Sequence, residues 1–230
     1  MRPALRNLHI VAGVSAGGLL LMAGVLPDSR AASPPVAAIQ VVGELSTRNV
    51  RTDESSLANV IADAVRDVDK TDAAFVAASS FTDLTIPKGT ATAADILKAL
   101  EYQDDNIVVV KLTGAQIRRA LEHGLTLLPQ KNSAFLQVSG ISATVDSGAE
   151  KEKRVTSLRV GGAPVKDDRA YTVAMPSPLA NGALGYFKVW DKAKAIDHDT
   201  NKTLGQAVTD YLAGVRSLGA KGEDRLAIRH

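Results

Sequence analysis

The sequence predicts an α/β protein, an α+β layered sandwich with a mixed sheet and about four helices. Three observations carry that expectation. Four segments join a helical apolar period to an N-terminal cap. Three short, dense apolar runs suit strands covered on both faces. A Gly161-Gly162 pair between two alternating segments supplies the positive φ angles of a tight hairpin.

In chain order, residues 1–32 read as a leader. Arg2 and Arg6 give a positive start, Ile10 to Pro27 carries no charge, and Ser29-Arg30-Ala31 with Ala32 offers a small-x-small cleavage pattern. A signal peptide is one reading. An uncleaved anchor over residues 10–27 is the other, because that run falls just short of the ~20 residues a spanning helix needs. Both place the folded part outside the cytoplasmic membrane, periplasmic or extracellular. The chain has no cysteine, which excludes disulfides, thiolate chemistry and a lipobox lipid.

Residues 33–45 form a linker and first strand: Ser33-Pro34-Pro35 is stiff, and Val36 to Leu45 alternates loosely. The domain proper is expected over 46–216, with a flexible polar tail over 217–230. The first helix, from Glu54 to Val68, places Leu57, Val60, Ile61, Ala64, Val65 and Val68 on one face, with Asp53 as its N-cap. Thr92 and Asp95 cap a short second helix. Thr113 and Gln116 box the third, which turns Ile117, Ala120, Leu121 and Leu125 inward and ends near Gly124 and Pro129. Thr203 and Gln206 cap the fourth. Strands are expected at Ala73 to Ala77, Ile107 to Leu112 and Tyr171 to Ala174. Phe135 to Val145, Arg154 to Val160 and Ala163 to Val165 read as a meander, with Glu150 to Arg154 a solvated loop.

Charge excludes a class of partner. Of 27 basic and 25 acidic residues, three basic and one acidic lie in residues 1–32, so the remainder has no net charge. That gives no electrostatic case for nucleic acid.

Several segments together resemble the C-terminal, substrate-binding domain of the secreted 5′-nucleotidases. They are Glu54 to Ala64 (E-x-x-L-x-N-x-x-x-D-A), Gly89 to Leu97, Val108 to Gly114, Phe135 to Gly140, Arg154-Val155, Gly162 to Val165 and Tyr171 to Ala174, in family order. The resemblance implies that family's fold, standing without the metallophosphoesterase domain. It also implies a pocket that clamps a base between two aromatic rings and holds phosphate with arginine, as guanidinium geometry favours. The matching positions here differ. The strand-exit stretch falls on Ala77 to Thr82, so Ser79 and Ser80 face the pocket and the phosphate arginine is Thr82. The first clamp ring falls on Gln103, or by a one-residue shift on Tyr102, with Asp105 nearby; the second falls on Pro178. The pocket turn is Gly182-Ala-Leu-Gly185-Tyr186, in which the family's aspartate is Leu184.

Other constellations read blandly. Asp197-His198-Asp199 suits an exposed loop better than a metal site. His123 beside Glu122 reads as surface, and Arg118-Arg119 as a solvated helix face. Ser79-Ser80 has no nucleophile elbow around it. Phe135, Phe187 and Trp190 read as core, although Phe187 and Trp190 stand beside the pocket turn.

These readings give an exported, non-catalytic binding or interaction module with a degenerate nucleotide pocket, and no cofactor or metal. A nucleoside, a nucleotide or another small molecule is the expected ligand. The alternatives are a nucleotide-binding subunit that acts with a separate metallophosphatase chain, and a structural envelope domain.

Overall fold

Capping and apolar period set most element boundaries in the computed structural model, which describes residues 38–219 and 224–229. The leader and the Ser33-Pro34-Pro35 linker lie outside those residues. The first half contains β1 (Ile39–Val41), β2 (Leu45–Ser46), α1 (Ser56–Asp67), β3 (Ala73–Ala77), β4 (Thr85–Ile86), β5 (Gly89–Ala91), α2 (Ala93–Leu97), β6 (Asn106–Thr113) and α3 (Gly114–Leu125). The second contains β7 (Leu136–Ser139), β8 (Ile141–Asp146), β9 (Val155–Val160), β10 (Ala163–Pro164), β11 (Ala170–Pro176), α4 (Ser177–Ala180), α5 (Lys192–Ala195), β12 (Ile196–Thr203), α6 (Leu204–Ala213), β13 (Ser217–Leu218) and β14 (Leu226–Arg229).

The predicted apolar runs form the middle of a five-stranded sheet ordered β12-β6-β11-β3-β7. β11 and β3 are parallel; the other pairs are antiparallel. Every residue of β3 is buried, so both its faces are covered. α1 packs on β3, β7 and β11 and on α6, while α3 packs on β6 and β9. A four-stranded sheet, β10-β9-β8-β14, and a small sheet, β13-β1-β5, join the same core.

The three predicted capping boxes form, at Thr92/Asp95, Thr113/Gln116 and Thr203/Gln206. Gly161 and Gly162 take φ +58° and +78° between paired Val160 and Ala163, the two-residue turn that glycine permits.

Several expectations are corrected. Ser55, not Asp53, stands at the N-cap of α1, because Asp53 accepts the Glu54 N–H instead. Phe135 to Val145 is not one strand. Gly140, at φ +71°, breaks it into β7 and β8 in different sheets, and a Cβ there would lie 2.3 Å from the Asp72 carbonyl. α3 ends at Leu125, next to Gly124 as expected, and Gly124 lies where the Ala134 carbonyl and the Tyr186 hydroxyl come close. The polar run around Asp197-His198-Asp199 is a strand, β12, exposed at the sheet edge. Glu122 and Arg154 are buried: the carboxylate accepts the Val155 N–H at 2.6 Å, and the guanidinium donates to the Leu125 carbonyl where α3 ends. Arg118 and Arg119 also bind carbonyls, those of Val155 and Val189.

Among the described residues, packed structure continues on both sides of 46 and 216. β1 contributes buried Ile39 and Val41, and β13 pairs with it. At its described residues the tail does not fray. β14 runs parallel to β8, and Arg225 is buried, donating to the Val138 carbonyl at 2.8 Å and to Asp63 at 2.9 Å. A polar composition conceals one arginine that is fully used and an apolar Leu226 in the core.

Candidate functional site

A pocket of about 350 Å³ opens where β3 and β11, the parallel pair, both end. Open α/β sheets gather ligands at such strand ends. Ala77 closes β3, and Ser79 and Ser80 follow in a 3₁₀ turn (Ala78–Ser80). Pro176 closes β11, Pro178 and Leu179 come from α4, and Ala183 and Leu184 from a second 3₁₀ segment (Ala183–Lys188). Tyr102 and Asp105 reach in from the loop before β6.

The lining is mostly apolar, and its polar groups are unspent. The Ser79 and Ser80 backbones are tied to Ser133 and Glu101, but neither hydroxyl has a partner among the described residues. Asp105 uses its carbonyl to accept the Leu204 N–H, and its carboxylate likewise meets no described donor. Burial, and secondly the charge of Asp104, push the Asp105 carboxyl above the ordinary carboxylate range. No lining residue carries a positive charge.

The pocket turn is held in place from beneath. Gly182, Leu184 and Gly185 take φ +92°, +58° and +90°. A side chain at Gly182 would collide with Phe187, its Cβ lying 2.7 Å from the Phe187 Cβ. Leu184 is the exception, a branched residue in a left-handed conformation that costs ~1–2 kcal/mol. His123 fixes it: the Leu184 carbonyl can only accept, so Nε2–H of the imidazole donates to it at 2.8 Å. Beneath lies Tyr186, fully buried, its ring stacked on Trp190 at 5.0 Å and edge-on to His123 at 4.6 Å. Its hydroxyl donates to the Ala134 carbonyl at 2.6 Å, and burial pushes its pKa well up.

The structure therefore brings together five of the residues singled out in the sequence: Ser79, Ser80, Tyr102, Asp105 and Pro178. Three others point elsewhere. Thr82 donates to the Lys98 carbonyl and lies in a separate cleft of about 40 Å³ beside Arg48, Arg51 and Lys131. Gln103 donates to the Leu97 carbonyl and abuts Gly205 of α6, so of the two alternatives Tyr102 is the one that lines the pocket. Tyr186 is a pillar under the turn; Gly182 and Gly185 shape that turn without lining the pocket. His123 is half-buried and holds the pocket turn, and nothing in its sequence neighbourhood signals that role. Trp190 is core as expected, but Phe187 is 66% exposed.

A larger groove of about 590 Å³ lies between α1, Gly140 and Arg225. Its charges are spent internally: Arg225 on Asp63, Lys70 on Asp67, and Arg66 on the Thr71 carbonyl.

The sequence profile of the family described as "5′-nucleotidase, C-terminal domain" matches residues 35–192. The chain belongs to that family. It is 30% identical over 186 residues to an apyrase of Anopheles gambiae, which covers 75% of this chain and 31% of the mosquito protein. It is 29% identical over 126 residues to the 5′-nucleotidase of Mus musculus, covering 51% of this chain and 22% of that one. The structure of a 5′-nucleotidase precursor from Thermus thermophilus superposes with a TM-score of 0.75 at 27% identity, over 83% of this chain and 39% of that one. A Haemophilus influenzae NAD nucleotidase shares the fold, with a TM-score of 0.70 at 18% identity. The chain thus spans under two-fifths of the length of each of these relatives.

Proposed function

We propose that this 5′-nucleotidase C-terminal domain is an exported binding module, without phosphatase activity of its own, whose pocket no longer suits a nucleotide. The observation that carries the reading is the charge of the pocket. A phosphate needs guanidinium, ammonium or a metal ion around it, and this lining offers one unpaired carboxylate instead. The position that the resemblance gives to a phosphate arginine is Thr82, whose hydroxyl is turned to the Lys98 carbonyl and which does not line this pocket. Catalysis by two metals would need a cluster of His and Asp ligands. Here His123 holds the pocket turn and His198 is engaged by Asp69 and Asp197. Export rests on the leader pattern and on the family's secreted members.

The test is a phosphatase assay of the purified chain with AMP, ADP and UDP-glucose in the presence of Mg²⁺, Mn²⁺ or Zn²⁺. No turnover is expected. Turnover that disappears on chelation overturns the reading.

A second reading is a nucleotide-binding subunit of a 5′-nucleotidase-type hydrolase that acts with a separate metallophosphatase chain; the similarity to an apyrase and to 5′-nucleotidases supports it. That reading requires a stable complex with such a chain, visible as co-elution and as hydrolysis that neither chain shows alone.

A further inference from the structure

We propose that the pocket takes a small organic ammonium with an apolar or aromatic body. The inference rests on the reading of a pocket no longer suited to phosphate, and it names what the remodelled pocket would hold instead.

The polar groups set the head of the ligand. Ser79, Ser80 and Asp105 all line the pocket, and none of their side-chain oxygens has a hydrogen-bond partner among the described residues. Ser80 as a residue is only 7% exposed, and it lines the pocket. A primary ammonium offers three donors and no acceptor. Two hydroxyl oxygens and a carboxylate form the matching set of acceptors, and the contact with Asp105 is charge-assisted. A half-buried carboxylate without a partner is costly to keep charged, which is why burial raises its pKa. A cation seated beside it removes that cost. An anion meets Asp105 directly, and Glu101 and Asp104 stand exposed on the same loop.

The apolar walls set the body. Pro176, Pro178, Leu179 and Leu184 line the same pocket. Tyr102, 54% exposed at the mouth, offers a ring face to an aromatic ligand. Leu184 is preset by the left-handed turn and by the His123 hydrogen bond, so closing over a ligand requires little reordering. The volume of about 350 Å³ lies at the small end of ligand pockets, ~300–1,000 Å³, and suits a single-headed molecule.

The experiment is calorimetric titration of the full chain with three probes that share one body: tryptamine (ammonium), tryptophol (hydroxyl) and indole-3-acetate (carboxylate). At pH 7.5 and low salt, tryptamine is expected to bind at least about tenfold more tightly than tryptophol, and indole-3-acetate not at all. Asp105→Asn should bring tryptamine down to the affinity of tryptophol, and Ser80→Ala should weaken it about fivefold. The Asp105 carboxylate makes no hydrogen bond or ion pair with a described side chain, so D105N should keep the wild-type unfolding midpoint. Equal binding of tryptamine and tryptophol, any comparable binding of indole-3-acetate, an unaltered D105N, or no binding of tryptamine overturns the proposal. Failure of tryptamine while AMP also fails to bind removes the ligand class and leaves the remodelled pocket standing. Micromolar binding of AMP removes both.

Discussion

Removing the Tyr186 hydroxyl should cost stability and leave ligand binding alone. The side chain is fully buried, and its hydroxyl donates to the Ala134 carbonyl at 2.6 Å, where no other donor stands among the described residues. Tyr186→Phe keeps the ring, its stacking on Trp190 and its edge contact with His123, so the change isolates one hydrogen bond. Stranding a buried acceptor costs ~1–3 kcal/mol. In a domain of this size each kcal/mol moves the unfolding midpoint by about 2–4 °C, so a loss of ~2 kcal/mol lowers it by about 4–8 °C. Urea unfolding followed by circular dichroism should show a lower midpoint with an unchanged slope. Affinity for the pocket probe should stay within about twofold. If Y186F unfolds with the wild type but loses ligand affinity, the tyrosine faces the ligand and its role as a pillar is wrong.

Arg225→Ala should destabilise by about 3 kcal/mol, because it strands the Val138 carbonyl and Asp63 and loosens β14; a midpoint within error of wild type would show that the C-terminal strand contributes nothing. Thr203→Ala should cost ~1 kcal/mol by opening the capping box of α6, read from the same urea titration. His198 donates to Asp69 at 2.6 Å and contacts Asp197, which itself pairs with Lys111. The hydrogen bond with Asp69, and then that with Asp197, raise the imidazole pKa above its ordinary value. Its contribution is therefore complete below about pH 6.5 and is lost as pH rises through the raised folded value. The thermal midpoint of wild type should exceed that of His198→Gln most near pH 5.5 and approach it by about pH 8.5; a gap that widens with pH contradicts the assignment.

Local rules made much of this fold legible. A capping box needs two residues three apart and nothing from the rest of the chain, so Thr92, Thr113 and Thr203 were identifiable at once. The Gly161-Gly162 turn was legible for the same reason. What escaped depends on distant partners. β12 carries almost no apolar signal, because an edge strand exposed to water takes its order from hydrogen bonds to β6. Arg154, Glu122 and Arg225 look like surface charges until the carbonyls, N–H groups and carboxylate they meet are in place.

The pocket divides along the same line. Ser79, Ser80, Tyr102, Asp105 and Pro178 follow strand ends, where chain direction alone brings residues together. Thr82 and Gln103 lie within three residues of that lining, yet each turns to a carbonyl of the α2 region. One residue of register decides between Tyr102 and Gln103, and only tertiary contact with Gly205 sets it. The roles of His123 and Tyr186 needed the turn at Gly182 to Gly185 to be seen folded over them.

The central claim is that this 5′-nucleotidase C-terminal domain has kept its frame and lost its nucleotide site. Calorimetric titration of the full chain with AMP tests it most directly. With one unpaired carboxylate and no cation in the lining, AMP should bind more weakly than about 1 mM. A dissociation constant in the micromolar range would contradict the claim.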